Sequence, residues 1–511
     1  MPSNDTYTVT YKDGTSIQFN KMKGVRKVKL RRNASSSGLT NKMVPLGVDV
    51  VKLSEQSHYL LYDNQENMNS GGLLKKHYNR LKVMRYFKTV GSAYRAKNKF
   101  YIGKNSLVLI PVSDLTKEQV TREIGNRGVV KHKSNNCFVI ECDTEEIMKK
   151  RVNELNQETW VAIADPNFSN LETIPGDRQR NITDARRFIN MTVPPQSSHK
   201  ILNAVGRPNG KSAIKIGIFD TGIDHEHFDL KEALNNQPHF DAIAWDHDPY
   251  PFNRNAHGTL CAGIAGARKK HQSGVNGIGS GCSIIDYRIC LNAKSSDGFF
   301  NRFEYDLYSL INAFNIAAFT HEVDVISCSW GVGQSYKSLE YVLKNVSENG
   351  RNSKGLPIVF SAGNGESEVN FPASSPYVIT VAAVDRQKIP LKGRIDNEIY
   401  YPGSNYGDNV DIAAIGTEIV TTDMLAHYGR VSLSLHNFNY DKNFGGTSAA
   451  APQVAGCIGL MISKNSELKL EDIKGLLTDK RNLTAFGETP QENFGAGILN
   501  VLEILSKINV T

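Results

Sequence analysis

Residues 213–230, AIKIGIFDTGIDHEHFDL, decide the fold class of this chain. The stretch begins with a continuous apolar run that ends at Asp220, and such runs are typical of strands buried in a parallel sheet. Similar runs follow in VDVISCSW, LPIVFSAGN and YVITVAAVD, and helical patterns alternate with them. The sequence therefore predicts an α/β domain over residues 201–511. Open α/β sheets place functional groups at the carboxyl ends of their strands, and these runs end at Asp220, Trp330, Asn364 and Asp385.

Three residues of this region have the side chains of a nucleophilic catalytic triad. Asp220 is followed by His257 in NAHGTLCAGIAGA and by Ser448 in FGGTSAAAPQVAG. An alcohol becomes a good nucleophile when an imidazole removes its proton and a carboxylate orients that imidazole. A helix that starts at Ser448 would also direct main-chain N–H groups at a developing oxyanion. The pattern therefore predicts acyl transfer to a serine.

These segments resemble the subtilisin-like serine peptidases, which have the same chain order of aspartate, histidine and serine. The resemblance covers the C-terminal three-fifths of the chain. It implies that Asn364, in VFSAGNGE, donates the oxyanion-hole amide N–H. It implies a serine endopeptidase that hydrolyses peptide bonds of proteins or peptides through an acyl-enzyme intermediate. It also implies two segments that pair with the substrate backbone, formed by Ser329, Trp330 and Gly331 and by Ser361, Ala362 and Gly363.

Two hypotheses about function stay open on the sequence. The first is the endopeptidase, and the second is a catalytically silent binding protein built on a protease fold. The intact triad and oxyanion amide favour the first. Substrate preference is also open, because Glu366 and Glu368 either select a basic residue or are solvated loop charges. Residues 423–443 are interpreted as an insertion that shapes or gates the cleft.

The chemistry of such a triad requires no cofactor, but the resemblance implies a structural calcium site at Asp229. The loop expected to complete that site, RKKHQSGVNG at residues 268–277, contains three basic residues. Calcium prefers oxygen ligands and little positive charge, so this loop argues against the ion. Both outcomes remain open on the sequence.

Residues 96–170 have the predicted order β-α-β-β-α-β, which is the ferredoxin-like arrangement. A helix is predicted from Thr116 to Gly128, with Thr116 and Gln119 in capping-box spacing, and a second helix is predicted with Asp143 as its cap. This unit resembles the inhibitory propeptide of the subtilisin-like peptidases, which also lies just upstream of the catalytic domain. The resemblance implies a self-processing zymogen whose own propeptide domain is a binding partner. Residues 171–200 are predicted to be a linker, with the cut between residues 167 and 187.

Residues 1–95 are predicted to be a basic, β-rich region, with a hairpin around Lys12-Asp13-Gly14. Residues 1–104 contain 20 Lys and Arg against 6 Asp and Glu, a net charge of +14, whereas the rest of the chain has a net charge of −6. Aromatic residues are interleaved with the positive charges, a pattern that nucleic-acid-binding stretches also show. No nucleic-acid-binding fold motif accompanies it, so we expect docking on the acidic remainder of the chain instead.

The 511-residue chain has 40% hydrophobic residues and so can bury a sizeable core. Its sequence has no apolar run of the roughly 18 residues that a membrane span needs. The first residues, MPSNDTYTVTYKDGTS, lack the apolar core of a secretory signal. Together with seven cysteines in no regular pairing pattern, these features predict a cytoplasmic protein.

Overall fold

The computed structural model describes residues 6–30, 48–54, 58–63, 87–96, 99–102, 104–175, 214–251, 255–270, 274–294, 300–332, 335–396, 399–401, 403–425, 439–487 and 492–509. The chain divides into two units. The first unit contains residues 1–178 together with 291–312 and 333–341, and the second unit contains the remainder.

The strands of the described chain are numbered in chain order: β1 (Thr6–Thr10), β2 (Ser16–Leu30), β3 (Val48–Ser54), β4 (His58–Asp63), β5 (Phe87–Ala96), β6 (Lys99–Ile102), β7 (Ser106–Pro111), β8 (Val129–Ser134), β9 (Cys137–Glu141), β10 (Val161–Pro166), β11 (Ser169–Pro175), β12 (Lys215–Asp220), β13 (Phe240–Asp241), β14 (Ser283–Arg288), β15 (Leu291–Lys294), β16 (Phe300–Asp306), β17 (Val325–Cys328), β18 (Ile358–Ser361), β19 (Ile379–Val384), β20 (Arg394–Asp396), β21 (Ile399–Tyr401), β22 (Ile412–Ile415), β23 (Ile419–Thr422) and β24 (Tyr440–Phe444).

The helices are numbered in the same way: α1 (Lys117–Ile124), α2 (Glu145–Leu155), α3 (Lys231–Leu234), α4 (His257–Gly266), α5 (Leu307–Phe319), α6 (Lys337–Ser353), α7 (Thr447–Lys464), α8 (Leu470–Thr478) and α9 (Val501–Ser506). The backbone of α6 departs from helical geometry at residues 350–352.

The second unit is built on a sheet whose strands are parallel, in the order β13-β14-β12-β17-β18-β19-β22. Its central strands are buried apolar runs, because helices cover the faces of a parallel sheet. The α/β fold class predicted from residues 213–230 is therefore confirmed. Since the strands are parallel, the ends of β12, β17 and β18 lie at one edge of the sheet. That edge brings together three of the segments singled out in the sequence.

Two helices rich in small residues, α4 and α7, are buried in the core beneath this sheet. A Cβ added at Gly456 of α7 would lie 2.7 Å from the carbonyl oxygen of Ala265 in α4. A Cβ added at Gly263 would lie 2.2 Å from Oγ1 of Thr422. Glycine at these positions therefore permits α4 to pack closely against α7 and against Thr422.

A ferredoxin-like subdomain, residues 106–166, lies in the first unit. Its antiparallel strands have the order β10-β7-β9-β8, and α1 and α2 connect them in the β-α-β-β-α-β sequence. The capping box predicted at Thr116 is present, with Oγ1 of Thr116 accepting from the N–H of Gln119 at 3.2 Å. Ala96 and residues 99–102, predicted to start this subdomain, instead belong to β5 and β6, which are part of another sheet.

Two helix ends in this subdomain differ from the sequence predictions. Helix α1 ends at Ile124 rather than Gly128, because Gly125 has a φ of +57° that an ordinary helical residue does not adopt. A short 3₁₀ turn then precedes Gly128. The second helix is capped by Thr144 rather than Asp143, since the Thr144 side chain accepts from the N–H of Ile147. Both differences are shifts of a boundary by a few residues.

The N-terminal module, defined here as residues 6–102, consists of strands β1–β6 in its described part. The predicted hairpin is present, with β1 antiparallel to β2 and Gly14 in the turn at a φ of +79°. The sheet of the module extends beyond it, in the order β15-β16-β11-β6-β5-β2-β4-β3. Residues 171–175, predicted to begin a linker, are therefore part of strand β11. The rest of that predicted linker lies outside the described residues, as do the basic residues between 64 and 86.

Within the described residues, no helix combines the length and the apolar character that crossing a membrane requires.

Candidate active site

The Asp220 carboxylate lies at the carboxyl end of β12 and is almost fully buried. Its Oδ1 accepts hydrogen bonds from Nδ1 of His257 at 2.8 Å and from the main-chain N–H of Thr221 at 2.8 Å. The loop that contains Thr221 is anchored to β14, because Asp286 of that strand accepts from the N–H of Ile223 at 2.8 Å. The carboxylate is thus oriented before any substrate binds, as a triad requires.

The imidazole of His257 is at the first position of α4, between Asp220 and the ring of Phe444, whose centroid lies 5.7 Å away. Burial alone would lower the pKa of His257, but the negative charge of Asp220 and the bond to it raise that pKa well above its ordinary value. Because Nδ1 donates to Asp220, Nε2 is the nitrogen that can accept a proton. This is the arrangement of a general base.

Ser448 is the second residue of α7, which begins directly after Gly446, a residue with a φ of +80°. Pro452 removes the N–H that would normally bond to the Ser448 carbonyl four residues earlier. That carbonyl accepts instead from Oγ of Ser329 at 3.1 Å and from Sγ of Cys261 at 3.6 Å. The same thiol lies 3.9 Å from Nδ1 of His257. A single buried sulfur therefore contacts both the histidine and the serine of the predicted triad.

Asn364 follows β18 and is oriented by the residue that precedes the predicted nucleophile. Its Oδ1 accepts from the main-chain N–H of Thr447 at 2.9 Å and from Oγ1 of Thr447 at 2.8 Å. Because Thr447 engages the amide oxygen, Nδ2 is the part of the side chain that can donate to an oxyanion. Thr447 was not singled out in the sequence, although its place between Gly446 and Ser448 in the motif was a usable signal.

The first segment predicted to bind the substrate backbone has side chains that serve the fold. Trp330 is buried and donates from Nε1 to the carbonyl of Phe219 at 2.8 Å, and Ser329 bonds to Ser448 as described above. Gly331, which follows them, is half-buried. These side chains point into the core, so a substrate could pair with this segment only through its main chain.

The second predicted segment, Ser361-Ala362-Gly363, is organised by Asn405, a residue that the sequence analysis missed. Nδ2 of Asn405 donates to the Ala362 carbonyl at 3.0 Å, and its main-chain N–H donates to the Gly363 carbonyl at 2.8 Å. Ser361 and Ala362 are buried. Asn405 is distant from this segment in sequence, and nothing local in the sequence indicated the contact.

Glu366 is tied to a neighbouring loop, because its Oε1 accepts from the N–H of Gly393 at 2.7 Å. The structure therefore favours the loop-charge interpretation of Glu366 over the specificity interpretation. Of the predicted insertion at 423–443, residues 426–438 lie outside the described residues, and residues 440–443 belong to strand β24, which pairs with β23.

Asp229 is fully buried, and hydrogen-bond donors converge on its carboxylate. Oδ1 accepts from the N–H of Lys270 at 2.9 Å, and Oδ2 accepts from the N–H of Val275 at 2.8 Å and from the Tyr440 hydroxyl at 2.9 Å. A calcium ion would require oxygen atoms in the positions where these donors lie. The donor set at Asp229 therefore does not fit the calcium site that the resemblance implied.

Among the described residues, the one cluster of three cysteine, histidine or acidic side chains with ligand atoms within 4.8 Å is Asp220, His257 and Cys261. These are the residues of the site already described. Burial raises the pKa of Cys261.

The geometry defines a class of protein with a buried Asp–His pair, a serine at a helix start and an oriented asparagine amide. The model of the subtilase family (Peptidase_S8) matches residues 211–497, which is more than half of the chain. The chain belongs to the subtilase family.

Two similar proteins support this family assignment. A calcium-dependent protease of Trichormus variabilis is 27% identical over 338 residues, which cover 60% of this chain and 48% of that protein. Thermitase of Thermoactinomyces vulgaris is 32% identical over 254 residues, covering 50% of this chain and 76% of thermitase. The chain thus spans about half the length of the calcium-dependent protease that it matches.

The fold likeness extends beyond the matched family region. The crystal structure of an epidermin leader peptide processing serine protease of Staphylococcus aureus, in a serine-to-alanine mutant form, superposes with a TM-score of 0.56 at 18% identity. The superposition covers 79% of this chain and 99% of that chain. The subtilisin-like fold predicted from the sequence is confirmed.

Proposed function

We propose that this chain is a serine endopeptidase that hydrolyses peptide bonds of proteins or peptides and is made as a self-processing zymogen. The observation that carries the proposal is the bond from His257 Nδ1 to Asp220 in a subtilase domain, with Ser448 contacting the same thiol as His257. In this mechanism His257 accepts the proton of Ser448 as its Oγ attacks the substrate carbonyl. The amide of Asn364 then donates to the oxyanion.

The second half of the reaction uses the same groups. His257, now protonated and stabilised by Asp220, donates its proton to the leaving amine, which departs with the C-terminal part of the substrate. A water molecule then attacks the acyl carbonyl while His257 accepts its proton. The bond from that carbonyl to Oγ of Ser448 breaks, His257 returns the proton to Oγ, and the N-terminal part of the substrate leaves as a carboxylic acid.

The test of this assignment is reaction with a fluorophosphonate probe, which modifies an activated serine. We expect the probe to label the wild-type chain at Ser448, and Ser448→Ala to abolish both labelling and peptide hydrolysis. Removing the nucleophile of subtilisin lowers kcat by about 10⁶, and a loss of that order is expected here. The matched control is Ser466→Ala, an exposed serine just beyond the same helix, which should retain both. An unlabelled wild-type chain would favour the catalytically silent binding protein.

The zymogen part of the proposal is supported by contacts within the first unit. Asp165 at the end of β10 accepts from the N–H and hydroxyl of Ser338, at the start of α6, at 2.9 and 2.6 Å. Asn167 accepts from the N–H of Tyr308, at the start of α5, at 3.1 Å. The ferredoxin-like subdomain and the residue after it thus cap the first turns of two helices, which suits an intramolecular inhibitor and folding aid.

The tail after that subdomain also suits a product-like inhibitor. Strand β11 pairs antiparallel with β16, from Ser169 opposite Asp306 to Pro175 opposite Phe300. We propose that the scissile bond of this segment lies beyond the residues that pair with β16. Within the predicted range of 167–187, the proposed cut therefore lies after Pro175.

A further inference from the structure

Strand β11 has neighbours on both edges, and the second neighbour comes from the N-terminal module. One edge pairs with β16 over seven residue pairs, and the other edge pairs with β6, from Ser169 opposite Ile102 to Leu171 opposite Phe100. Strand β6 pairs in turn with β5, and β5 pairs with β2. The inhibitory tail is thus an interior strand of a sheet, whereas a tail bound only to β16 would have a free edge.

The β1–β2 hairpin of the same module is also hydrogen-bonded to the ferredoxin-like subdomain. The side chain of Asn153 in α2 donates to the Thr8 carbonyl at 3.0 Å and accepts from the Thr10 N–H at 3.0 Å. Nζ of Lys12 donates to the carbonyls of Glu158 and Val161 at 2.6 and 2.5 Å. These bonds join the hairpin to the helix and to the strand that precede the tail.

One buried carboxylate connects the hairpin to the start of α6. The hydroxyl of Tyr11 donates to Oδ1 of Asp165, while Oδ2 of the same carboxylate accepts from Ser338. Asp13 forms an ion pair with Lys337, whose Nζ lies 4.9 Å from the centre of the Tyr11 ring. Asp165 is fully buried, so each hydrogen bond to it compensates for a costly desolvation.

We propose that the N-terminal module is a second inhibitory element, which retains the tail strand after the chain has been cut. This inference rests on the proposed function. Cutting after Pro175 breaks one covalent bond but leaves the strand paired with β6 as well as with β16. Because strand β2 connects the hairpin directly to this sheet, the ion pair of Asp13 with Lys337, the bond of Asp165 with Ser338 and the pairing of β11 with β16 act as linked attachments of the cleaved fragment. Linked attachments dissociate far more slowly than either one alone.

The proposal therefore assigns to the N-terminal module a share of the delay between self-cleavage and activity. Self-cleavage comes first, and activity appears only when the N-terminal module and the subdomain leave the strand β16. A factor that weakens the module, such as a protease that cuts within it, would then trigger activation.

The experiment measures amide hydrogen exchange of residues 169–175 in the full-length Ser448→Ala chain, so that no cleavage or activity is needed. Into this background we would introduce Tyr11→Phe, which removes one charge-assisted hydrogen bond, and Tyr101→Pro, which removes a main-chain donor from β6. We expect exchange in residues 169–175 to rise about tenfold for Tyr11→Phe and further for Tyr101→Pro. The matched control is Tyr341→Phe, the same loss of a hydroxyl at an exposed position of α6.

The inhibitory role is then tested in the chain that retains Ser448. We expect Tyr11→Phe to cut itself at the wild-type rate but to shorten the delay between cutting and peptide hydrolysis about tenfold. Unchanged exchange in both Tyr11→Phe and Tyr101→Pro would overturn the proposal. Faster exchange with an unchanged delay would also overturn it, because the module would then pair with the tail without inhibiting. A wild-type chain with no Ser448-dependent hydrolysis would contradict the proposed function instead. The exchange result would still show whether the N-terminal module retains the tail strand, because it needs no activity.

Discussion

The parallel sheet of the second unit and the sheet of the N-terminal module differ in how they are specified. In the parallel sheet, β12, β17 and β18 are apolar runs that lead into short segments of the candidate site, such as Asp220 at the end of β12. In the sheet of the N-terminal module, strands pair over long distances in sequence, as β11 at residues 169–175 does with β16 at residues 300–306. The comparison shows that each residue of the candidate site has a local sequence signal, whereas the strand pairing of β11 depends on residues far away in the chain.

Replacement of Asn364 tests the predicted role of its amide in the parallel-sheet unit. Asn364→Leu should lower kcat by about 10²–10³ with little change in KM, because the amide acts on charge that develops in the transition state. Steady-state hydrolysis of a peptide substrate measures both constants. Asn349→Leu, on the exposed face of α6, is the control and should change neither. A raised KM with an unchanged kcat would make Asn364 a ground-state binding residue.

Asp229 tests whether a network of donors takes the place of a metal in this chain. Asp229→Asn presents an amide N–H to donors that need an acceptor, so we expect a loss of about 2–3 kcal/mol in the free energy of unfolding. Chemical denaturation measures this loss, with the exposed Asp408→Asn as control. The loss should be the same with calcium and with a chelator. If calcium stabilised the wild type but not Asp229→Asn, Asp229 would be a calcium ligand after all.

The pH dependence of hydrolysis reports the pairing of Asp220 and His257. His257 must be neutral to accept the proton of Ser448, and Asp220 raises its pKa against the effect of burial. We therefore expect kcat/KM to fall about tenfold per pH unit below that raised pKa. Asp220→Asn should shift the acidic limb of the profile to lower pH, since the negative charge that favours the imidazolium is gone. An acidic limb at the same pH in Asp220→Asn would show that another group titrates.

The smallest effect is expected for the binding of nucleic acid, which tests the role of the basic residues in the N-terminal region. The net charge of +14 on residues 1–104 and of −6 on the rest favours pairing within the chain. Titration with random-sequence DNA and RNA at low salt should show no tight binding. Binding that weakens steeply with salt would instead assign the basic residues to phosphate contacts.

The residues of the site could be predicted because each lies in a short segment whose neighbours have a local role. Asp220, His257 and Ser448 follow a buried strand or begin a helix of small residues, and both patterns are visible in the sequence. The contacts that orient them were missed where they come from distant positions. Thr447 orients Asn364 from 83 positions away, and Asn405 organises residues 362–367 from another loop.

The fold of the ferredoxin-like subdomain was also predictable in part, because its helices and strands have local sequence signals. The helices and strands of residues 106–166 follow from local caps and periodicity, and their boundaries moved by a few residues at Gly125 and Thr144. Most of strand β11 was predicted to be a linker, because residues 169–175 are largely polar and contain no apolar alternation. Its partners β6 and β16 provide the main-chain hydrogen bonds that make it a strand, and this pairing has no local signal.

We propose that the subtilase domain hydrolyses peptide bonds and cuts its own chain between strand β11 and residue 187. The most direct measurement is the intact mass and the N-terminal sequence of the purified active protein, with Ser448→Ala alongside. We predict that the active wild type begins after Pro175, within the range ending at residue 187, and that Ser448→Ala persists at the full 56.6 kDa. An active wild type that still begins at Met1 or Pro2, with no internal cut, would contradict the zymogen while leaving the peptidase assignment in place.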